Sequence, residues 1–204
     1  MKYLVIKRVI DFTGALIGII LLSPVLIITA LLIKLTSKGP IFYKSKRVGK
    51  DGKLFTMLKF RTMHVNADSI GPKLTYRNDP RITKIGRYLR QLKIDELPQL
   101  FNVLKGEMSL VGPRPEDPKY IVHYSEKQKE ILSIKPGITG LAQLKYINIE
   151  SMLDHKNLSE TYVEEIIPEK YKLNREYLNN ASFSLDLKIM LNTIFSIFKT
   201  KHKI

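Results

Sequence analysis

A long uncharged stretch near the start of the chain limits its fold more than any other feature. Residues 12–33 contain no charged side chain over about 22 positions. As a straight helix this stretch would be roughly 33 Å long, which is enough to cross the hydrocarbon core of a bilayer. It is longer than the apolar core of a cleaved signal peptide, and it lacks a small-residue cleavage site before the rest of the chain. We therefore expect a membrane-associated helix that stays in the protein.

The pair Ser23-Pro24 lies near the middle of this stretch. Proline removes one helical N–H and crowds the carbonyl of Ile20, so it favours a bend or break there. The Ser23 hydroxyl is placed to bond back to a carbonyl one turn earlier. Basic residues flank the stretch on both sides, which draws both ends toward the cytoplasm. These are Lys2, Lys7 and Arg8 before it, and Lys34, Lys38, Lys44 and Lys46 after it. Two alternatives stay open: a re-entrant hairpin and a kinked spanning helix.

The charge balance indicates an anionic partner. The chain has 34 basic and 19 acidic residues, a net charge of +15. This excess suits nucleic acid, an anionic membrane surface or phosphorylated substrates. The absence of cysteine excludes disulfides, thiol nucleophiles and zinc–thiolate sites, and the four histidines show no ligand spacing. Any metal is expected to be a hard ion held by carboxylate and phosphate oxygens.

Beyond residue 40 the pattern changes to short β-prone runs. Residues 41–48 and 54–62 flank Asp51-Gly52, a strong hairpin signal. Because side chains alternate along a strand, Lys59 and Arg61 are predicted to share one face. That face is either a solvated strand edge or a phosphate-binding surface.

Adjacent carboxylates at Asp95 and Glu96 are the main chemical candidates. Asp95 suits a helix N-cap, Glu96 and Pro98 suit the first turn, and Gly106 is a plausible stop. A carboxylate there is favoured in its ionised form, and the same position attracts phosphate. Such a carboxylate can act as a nucleophile. The plainer alternative is that Asp95 only caps the helix and Glu96 is only a first-turn acid.

Further features flank this pair. Thr83 is a suitable N-cap for a short amphipathic helix that leads toward Asp95. The turn Gly112-Pro113-Arg114-Pro115 is rigid, so the Arg114 guanidinium has few directions in which to point, and its planar fork suits phosphate or a pyrimidine edge. Residues 182–199 are amphipathic, with one apolar face predicted to pack on the core or, alternatively, to lie on a membrane. That face contains Phe183, Leu187, Met190 and Ile194.

Several motifs in order resemble the bacterial sugar transferase family. The chain is similar to its small monotopic phosphoglycosyl transferases, which charge undecaprenyl phosphate with a sugar phosphate. The motifs are Lys7-Arg8-x-x-Asp11, Ser23-Pro24, Lys59-Phe60-Arg61-Thr62-Met63, Asp95-Glu96-Leu97-Pro98-Gln99-Leu100, Gly112-Pro113-Arg114-Pro115 and Pro136-Gly137-Ile138-Thr139-Gly140. The resemblance implies an α+β protein with a re-entrant helix over residues 1–36, broken at Ser23-Pro24. A small mixed α/β catalytic domain with interfacial amphipathic helices, over residues 37–204, would lie on the cytoplasmic face of the bacterial inner membrane.

The resemblance also implies roles for particular residues. Asp95 would attack the β-phosphate of a UDP-sugar, UMP would leave, and undecaprenyl phosphate would then take up the sugar phosphate. Glu96 would assist proton handling or metal placement, and Mg²⁺ would bridge Asp95 and the diphosphate. The substrate-binding residues would be Lys59, Arg61, Arg90, Pro113 and Arg114. The expected partners are the UDP-sugar, undecaprenyl phosphate and membrane lipids, without nucleic acid.

One departure leaves the donor sugar open. Many members of the family carry an arginine where this chain has Ile147, and Lys145 is a candidate to replace its charge. Two other functions compete with the transferase. The first is a basic membrane-anchored binding module, although helix-turn-helix, zinc-finger and RNA-binding signatures are absent from the sequence. The second is an enzyme with a dinuclear carboxylate site and no covalent intermediate.

Overall fold

The structure is a computed structural model that describes residues 2–72, 74–153 and 157–200. It combines one long N-terminal helix with two small sheets and a group of shorter helices, which confirms a mixed α/β protein. The helices are α1 (Lys2–Thr36), α2 (Lys84–Gln91), α3 (Gln99–Lys105), α4 (Pro118–Ile121), α5 (Leu141–Lys145), α6 (Ile149–Met152), α7 (Leu158–Thr161), α8 (Ile167–Asn180) and α9 (Phe183–Thr200). The strands are β1 (Phe42–Val48), β2 (Leu54–Phe60), β3 (Ser109–Val111) and β4 (Gly137–Thr139).

Helix α1 is continuous through Pro24. The Ser23 hydroxyl donates a hydrogen bond of 2.8 Å to the carbonyl of Ile20. This is the carbonyl that Pro24, which has no N–H, leaves without its helical partner. The predicted back-bond from Ser23 is therefore confirmed. The predicted break at Ser23-Pro24 is not shown, since the hydroxyl satisfies the freed carbonyl inside an unbroken helix.

Only a narrow face of α1 packs on the rest of the protein. Its segment Val5–Thr36 is long and apolar enough to cross a membrane, and most of its side chains are exposed. The packed face holds Ala15, which is fully buried, and Gly18, where an added Cβ would lie 3.4 Å from Leu100 Cδ1 of α3. Buried Asp11 accepts hydrogen bonds from the Leu110 backbone N–H at 2.9 Å and from the Ser109 hydroxyl at 3.0 Å. The helix is thus fixed to β3 while a large apolar surface stays uncovered.

Both sheets have two strands. Strands β1 and β2 pair antiparallel with Val48 opposite Leu54, which confirms the predicted hairpin. Asp51 and Gly52 adopt left-handed conformations in its turn, with φ of 55° and 75°. Strands β3 and β4 pair in parallel, with Val111 opposite Thr139. A Cβ at Gly137 would lie 2.1 Å from the Gly112 N, so only glycine permits this close approach.

Two separate apolar clusters form much of the core around β2, α3 and the helices after β4. The first, which we call the α1-side cluster, joins α1 to β2 and α3. It consists of Ala15, Met57, Leu100, Val103 and Met108, with Ile19, Leu22, Phe55, Leu104, Leu110 and Ile138 packed against it. The second, the tyrosine cluster, joins α4 to the helices after β4. Its buried members are Tyr120, Tyr124, Ile131, Tyr146, Leu153, Leu158, Tyr162, Ile166 and Ile167.

The first of the two alternatives for α9, in which its predicted apolar face packs on the core, holds only for Met190, which packs beside Ile189. Ile189 and Asp186 are buried, whereas Phe183, Leu187 and Ile194 are exposed. The cause is the Asp186 carboxylate. It accepts hydrogen bonds from Lys7 Nζ at 2.6 Å, Tyr3 OH at 2.9 Å and Tyr177 OH at 2.7 Å. Burying this carboxylate against α1 and α8 leaves the predicted core face of α9 largely uncovered.

Candidate active site

A cavity of about 340 Å³ brings most of the predicted site residues together. Its wall combines β2, the turn before α3, the Gly-Pro-Arg-Pro turn and the segment after β4. The predicted residues in the wall are Lys59, Arg90, Asp95, Glu96 and Arg114.

Asp95 lies in a 3₁₀ turn, Ile94–Glu96, that precedes α3. The sequence predicts that the helix begins at Asp95, but α3 begins at Gln99. The reason is Pro98, which has no N–H to return to the carbonyl of Ile94, so Leu97 N donates to that carbonyl instead at 3.1 Å. Just before the turn, Lys93 has a φ of 55°, a left-handed conformation that costs a non-glycine residue about 1–2 kcal/mol. This kinked backbone presents the two carboxylates to the cavity.

The Asp95 carboxylate is not a helix cap. The residue is 5% exposed, and its Oδ1 is the only buried carboxylate oxygen in the described residues that lacks a hydrogen-bond partner. Burial raises the pKa of Asp95, and the nearby charge of Lys59 opposes that rise. The sequence-based expectation of a carboxylate favoured as an anion by the helix terminus is therefore wrong. What the fold provides is an unpartnered oxygen in a cavity rich in cations.

The adjacent Glu96 is held in the opposite way. Arg114 donates two hydrogen bonds to its carboxylate, at 2.7 and 3.1 Å. Lys59 Nζ and Gln99 Nε2 each donate a further one at 3.1 Å. Burial alone would raise the pKa of Glu96, but the charges of Arg114 and Lys59 outweigh it and hold this pKa well below its usual range. Glu96 is thus a fixed anion that positions two cations beside Asp95.

Arg90 also reaches the cavity and is fully engaged there. Its guanidinium donates to Thr75 Oγ1 at 2.8 Å and to Thr62 Oγ1 at 3.3 Å, and it forms an ion pair with Glu150.

The cavity wall holds cations from several elements, which suits a ligand with more than one phosphate. They are Arg47, Lys59, Arg90, Lys93, Arg114 and Lys170.

Two predicted substrate-binding residues lie elsewhere. The Arg61 guanidinium donates to the carbonyls of Ser37, Lys38 and Pro40, at 3.0, 2.6 and 2.6 Å. It therefore secures the chain just after α1 and does not line the cavity. The alternation that grouped it with Lys59 fails because β2 ends at Phe60. Pro113 is buried, and its carbonyl accepts the Gly137 N–H at 2.8 Å, so it supports the parallel strand pair.

Arg61→Met is accordingly expected to affect stability and not substrate affinity. The change leaves the part-buried carbonyl oxygens of Ser37, Lys38 and Pro40 without their shared donor, which costs about 1–3 kcal/mol in the free energy of unfolding. We expect a clearly lower thermal midpoint in detergent, with the KM for the donor substrate within about twofold of wild type in the protein that remains folded. A strongly raised KM with an unchanged midpoint would return Arg61 to the substrate site.

The structure adds a buried charged group that the sequence did not indicate. Glu116 Oε2 accepts hydrogen bonds from Tyr162 OH at 2.7 Å and from Lys170 Nζ at 3.1 Å. All three line the cavity. Glu116 directly follows the Pro-Arg-Pro turn, and this position next to Arg114 could have marked it as a candidate site residue. Tyr162 and Lys170 come from a polar stretch far along the chain in which neither residue stood out.

The structure also shows where Ile147, which replaces the arginine of many family members, and its candidate substitute Lys145 lie. Ile147 lines the cavity, and its carbonyl accepts a 2.8 Å hydrogen bond from Lys93 Nζ. Lys145 lies outside the cavity wall and pairs with Glu169 at 2.9 Å. Lys145 therefore does not replace the charge of the family's arginine.

The carboxylates present fit a metal ion only in part. Across the ranges that the structure describes, no three histidine, aspartate or glutamate side chains gather as a metal site. Both oxygens of Glu96 are taken by cations and Gln99, whereas Asp95 Oδ1 has no partner. Mg²⁺ is commonly held by one or two carboxylates plus substrate phosphates. Asp95 together with a bound diphosphate fits that pattern.

The chain is similar to known sugar transferases along nearly its whole length. The model of the family described as "Bacterial sugar transferase" matches residues 2–200. The chain is 41% identical over 191 residues to the "Uncharacterized sugar transferase EpsL" of Bacillus subtilis, covering 94% of this chain and 86% of that protein. It is 39% identical over 197 residues to the UDP-glucose:undecaprenyl-phosphate glucose-1-phosphate transferase of Caulobacter vibrioides, covering 95% and 70%.

Some relatives are much longer than this chain. The galactosyl transferase CpsE of Streptococcus agalactiae is 40% identical over 204 residues, which cover 95% of this chain and 42% of that protein. The matched part nevertheless includes nearly all of the present chain in each case. With the family model matching almost end to end, the chain belongs to the bacterial sugar transferase family.

Proposed function

We propose that this protein transfers a sugar 1-phosphate from a UDP-sugar to undecaprenyl phosphate at the membrane, releasing UMP. This reaction initiates the synthesis of a surface polysaccharide. The observation that carries the proposal is the unpartnered, buried oxygen of Asp95 beside the cations Lys59, Arg90 and Arg114. Membership of the sugar transferase family and the names of its relatives supply the class of substrates.

In the first step, an oxygen of the Asp95 carboxylate attacks the β-phosphorus of the UDP-sugar. The bond from that phosphorus to the bridging oxygen breaks, and UMP leaves with the electron pair. Asp95 then carries the sugar phosphate as an acyl phosphate. In the second step, a phosphate oxygen of undecaprenyl phosphate attacks the same phosphorus and the Asp95 carboxylate leaves. The product is a sugar linked to the lipid through a diphosphate.

Once Asp95 is ionised, which the charges of Lys59 and Arg90 favour against its burial, neither step requires a proton to be moved, since each nucleophile and each leaving group is then an anion. This agrees with Glu96, which is locked as an anion by Arg114 and Lys59 and has no free oxygen for proton transfer. The cations act by holding the phosphates in place and by stabilising the charge on the transferred group. Glu96 serves by keeping two of them in position.

Magnesium is part of the proposal, with Asp95 and the donor's diphosphate as its ligands. When bound, the ion neutralises phosphate charge. We expect EDTA to abolish UMP release and added Mg²⁺ to restore it, while the thermal midpoint of the substrate-free protein changes little because a single carboxylate binds the ion weakly. Full activity after exhaustive chelation would remove the metal from the reaction.

We also propose the re-entrant topology, in which α1 bends at Ser23-Pro24 in the membrane, so that residues 1–36 enter and leave it on the cytoplasmic side of a catalytic domain over residues 37–204. Basic residues on both sides of the apolar stretch support it. The chain contains no cysteine, so single cysteines introduced at Lys2 and at Lys38 report without background. Both are expected to resist an impermeant thiol reagent in intact cells and to react after lysis. Labelling of Lys2→Cys alone in intact cells would mean a spanning helix.

The proposed function is tested by UMP release from a panel of UDP-sugars. The protein in detergent is supplied with Mg²⁺ and undecaprenyl phosphate, and each donor is assayed with and without the lipid. Sustained turnover that needs both one donor and the lipid is the expected result, and it names the sugar. Folded protein that releases no UMP from any donor, yet binds anionic lipid vesicles, would favour the membrane-anchored binding module.

A further inference from the structure

The cavity around Asp95 has two apolar walls that belong to different core clusters. One wall consists of Met57, Leu100 and Ile138 from the α1-side cluster, Ile197 from α9, and Leu97 from the turn before α3. The other comes from the tyrosine cluster; it includes Leu74, Tyr120, Tyr146, Ile149 and Leu153. The proposed reaction has two substrates, and only one of them has a long apolar chain. The two walls therefore need different explanations.

The first wall is continuous with the apolar exterior of the protein. Leu100 packs on Gly18 of α1, and Leu22, next to the Ser23-Pro24 pair, packs against the same cluster. At the other side, Ile197 of α9 lines the cavity while its neighbour Phe195 is 68% exposed. An apolar surface thus leads from the uncovered faces of α1 and α9 into the cavity.

The same wall ends at the cations. Met57 and Lys59 project from one face of β2, because they are two residues apart on a strand, and both line the cavity. Leu97 directly follows Glu96, which holds Lys59 and Arg114. A prenyl phosphate needs this combination: apolar contacts for its first isoprene units and cationic groups beside them for its phosphate.

Resting on the proposed function, we infer that the wall formed by Met57, Leu97, Leu100, Ile138 and Ile197 binds the first isoprene units of the acceptor. The acceptor then reaches Asp95 from the α1 side, and the tyrosine-cluster wall is left for the nucleotide sugar. Helix α9 takes part directly, since the hydroxyls of Thr193 and Thr139 hydrogen-bond at 2.6 Å and hold α9 to β4 beside this wall. Ile197 is the residue of α9 that most directly tests the assignment.

The two half-reactions allow the acceptor wall to be tested separately. Exchange of labelled UMP into the UDP-sugar, without any lipid, reports only the first step. Transfer to undecaprenyl phosphate reports both. For Ile197→Glu we expect UMP exchange within about twofold of wild type and a loss of at least about tenfold in kcat/KM for the lipid, the order of effect of a lost apolar contact in a binding pocket.

A short soluble acceptor separates direct contact from membrane attachment. With farnesyl phosphate in detergent solution, Ile197→Glu is expected to show the same loss in kcat/KM, because the first isoprene units are present in both acceptors. Asn192→Glu is the matched control: it adds the same charge to an exposed position of α9 outside the cavity wall. It is expected to retain wild-type kinetics with farnesyl phosphate.

Three results would overturn the inference. Ile197→Glu with unchanged kinetics for both acceptors would place the isoprene units elsewhere. A loss with undecaprenyl phosphate alone, shared by Asn192→Glu, would mean that α9 acts only in membrane attachment. An equal loss of UMP exchange in Ile197→Glu would mean general damage to the site. Absence of UMP exchange in the wild type, by contrast, would count against the covalent step of the proposed function itself.

Discussion

Asp95→Asn is expected to lower lipid-dependent UMP release by roughly 10⁴-fold or more, the range seen when a nucleophile is removed from an enzyme. An amide oxygen does not form the acyl phosphate that the proposed first step requires. The same change is expected to leave stability unchanged or to raise it. Oδ1 of Asp95 has no hydrogen bond to lose, and burial already raises the pKa of this carboxyl, so a neutral side chain is well tolerated at this buried position.

The measurement is the rate of UMP release beside the thermal midpoint of the same preparation. Asp117→Asn is the control, because it removes a carboxylate charge from the same cavity, where Asp117 pairs with Arg47 at 3.2 Å. Its effect should be smaller by at least about 100-fold, since no covalent bond depends on it. Comparable losses in the two variants would mean that Asp95 contributes charge alone.

Glu96→Gln is the second change with a large expected effect. Glutamine preserves size but removes the charge that holds Lys59 and Arg114, so the two cations lose their common anchor. We expect kcat/KM to fall by about 10²–10³-fold, as for other lost groups that stabilise charge in a transition state. Breaking a buried ion pair from one side also costs about 3–5 kcal/mol in stability, so the thermal midpoint should drop.

Assaying Glu96→Gln well below its own thermal midpoint keeps the variant folded, so that a change in kcat/KM is not caused by its lower stability. Glu107→Gln is the control: Glu107 accepts a 2.7 Å hydrogen bond from Asn102 outside the cavity wall. It is expected to keep wild-type kinetics even if it loses some stability. A Glu96→Gln enzyme with wild-type kcat/KM would show that the positions of Lys59 and Arg114 do not depend on this anchor.

Local sequence signals predicted the local structure well. Asp51-Gly52 marked the hairpin, Thr83 caps α2 by accepting the Gly86 N–H at 3.0 Å, and Gly106 ends α3 in a left-handed conformation. Each of these depends on a few neighbouring residues. The apolar stretch likewise predicted a long N-terminal helix. The structure explains why this helix continues through Pro24: the Ser23 hydroxyl donates a hydrogen bond to the Ile20 carbonyl that proline leaves unpaired.

The sequence could not predict which contacts each residue of the site makes. Asp95 and Glu96 are adjacent carboxylates, yet one is left unpartnered and the other is surrounded by cations, because Lys59 and Arg114 arrive from distant segments. Arg61 shares a motif with Lys59 but is captured by the carbonyls after α1. In α9, the burial of Asp186 decided which face packs inward. Each outcome is set by tertiary contacts that residue spacing does not record.

The covalent intermediate is the central claim, and intact-mass analysis tests it most directly. Wild-type protein is incubated with Mg²⁺ and the donor identified by UMP release, without lipid, and is then quenched. We predict a mass increase equal to one sugar phosphate, located on the peptide that contains Asp95, absent in Asp95→Asn and discharged when undecaprenyl phosphate is added before the quench. Efficient transfer to the lipid with no adduct at any time, together with sequential kinetics, would contradict the account and favour direct transfer between the two substrates.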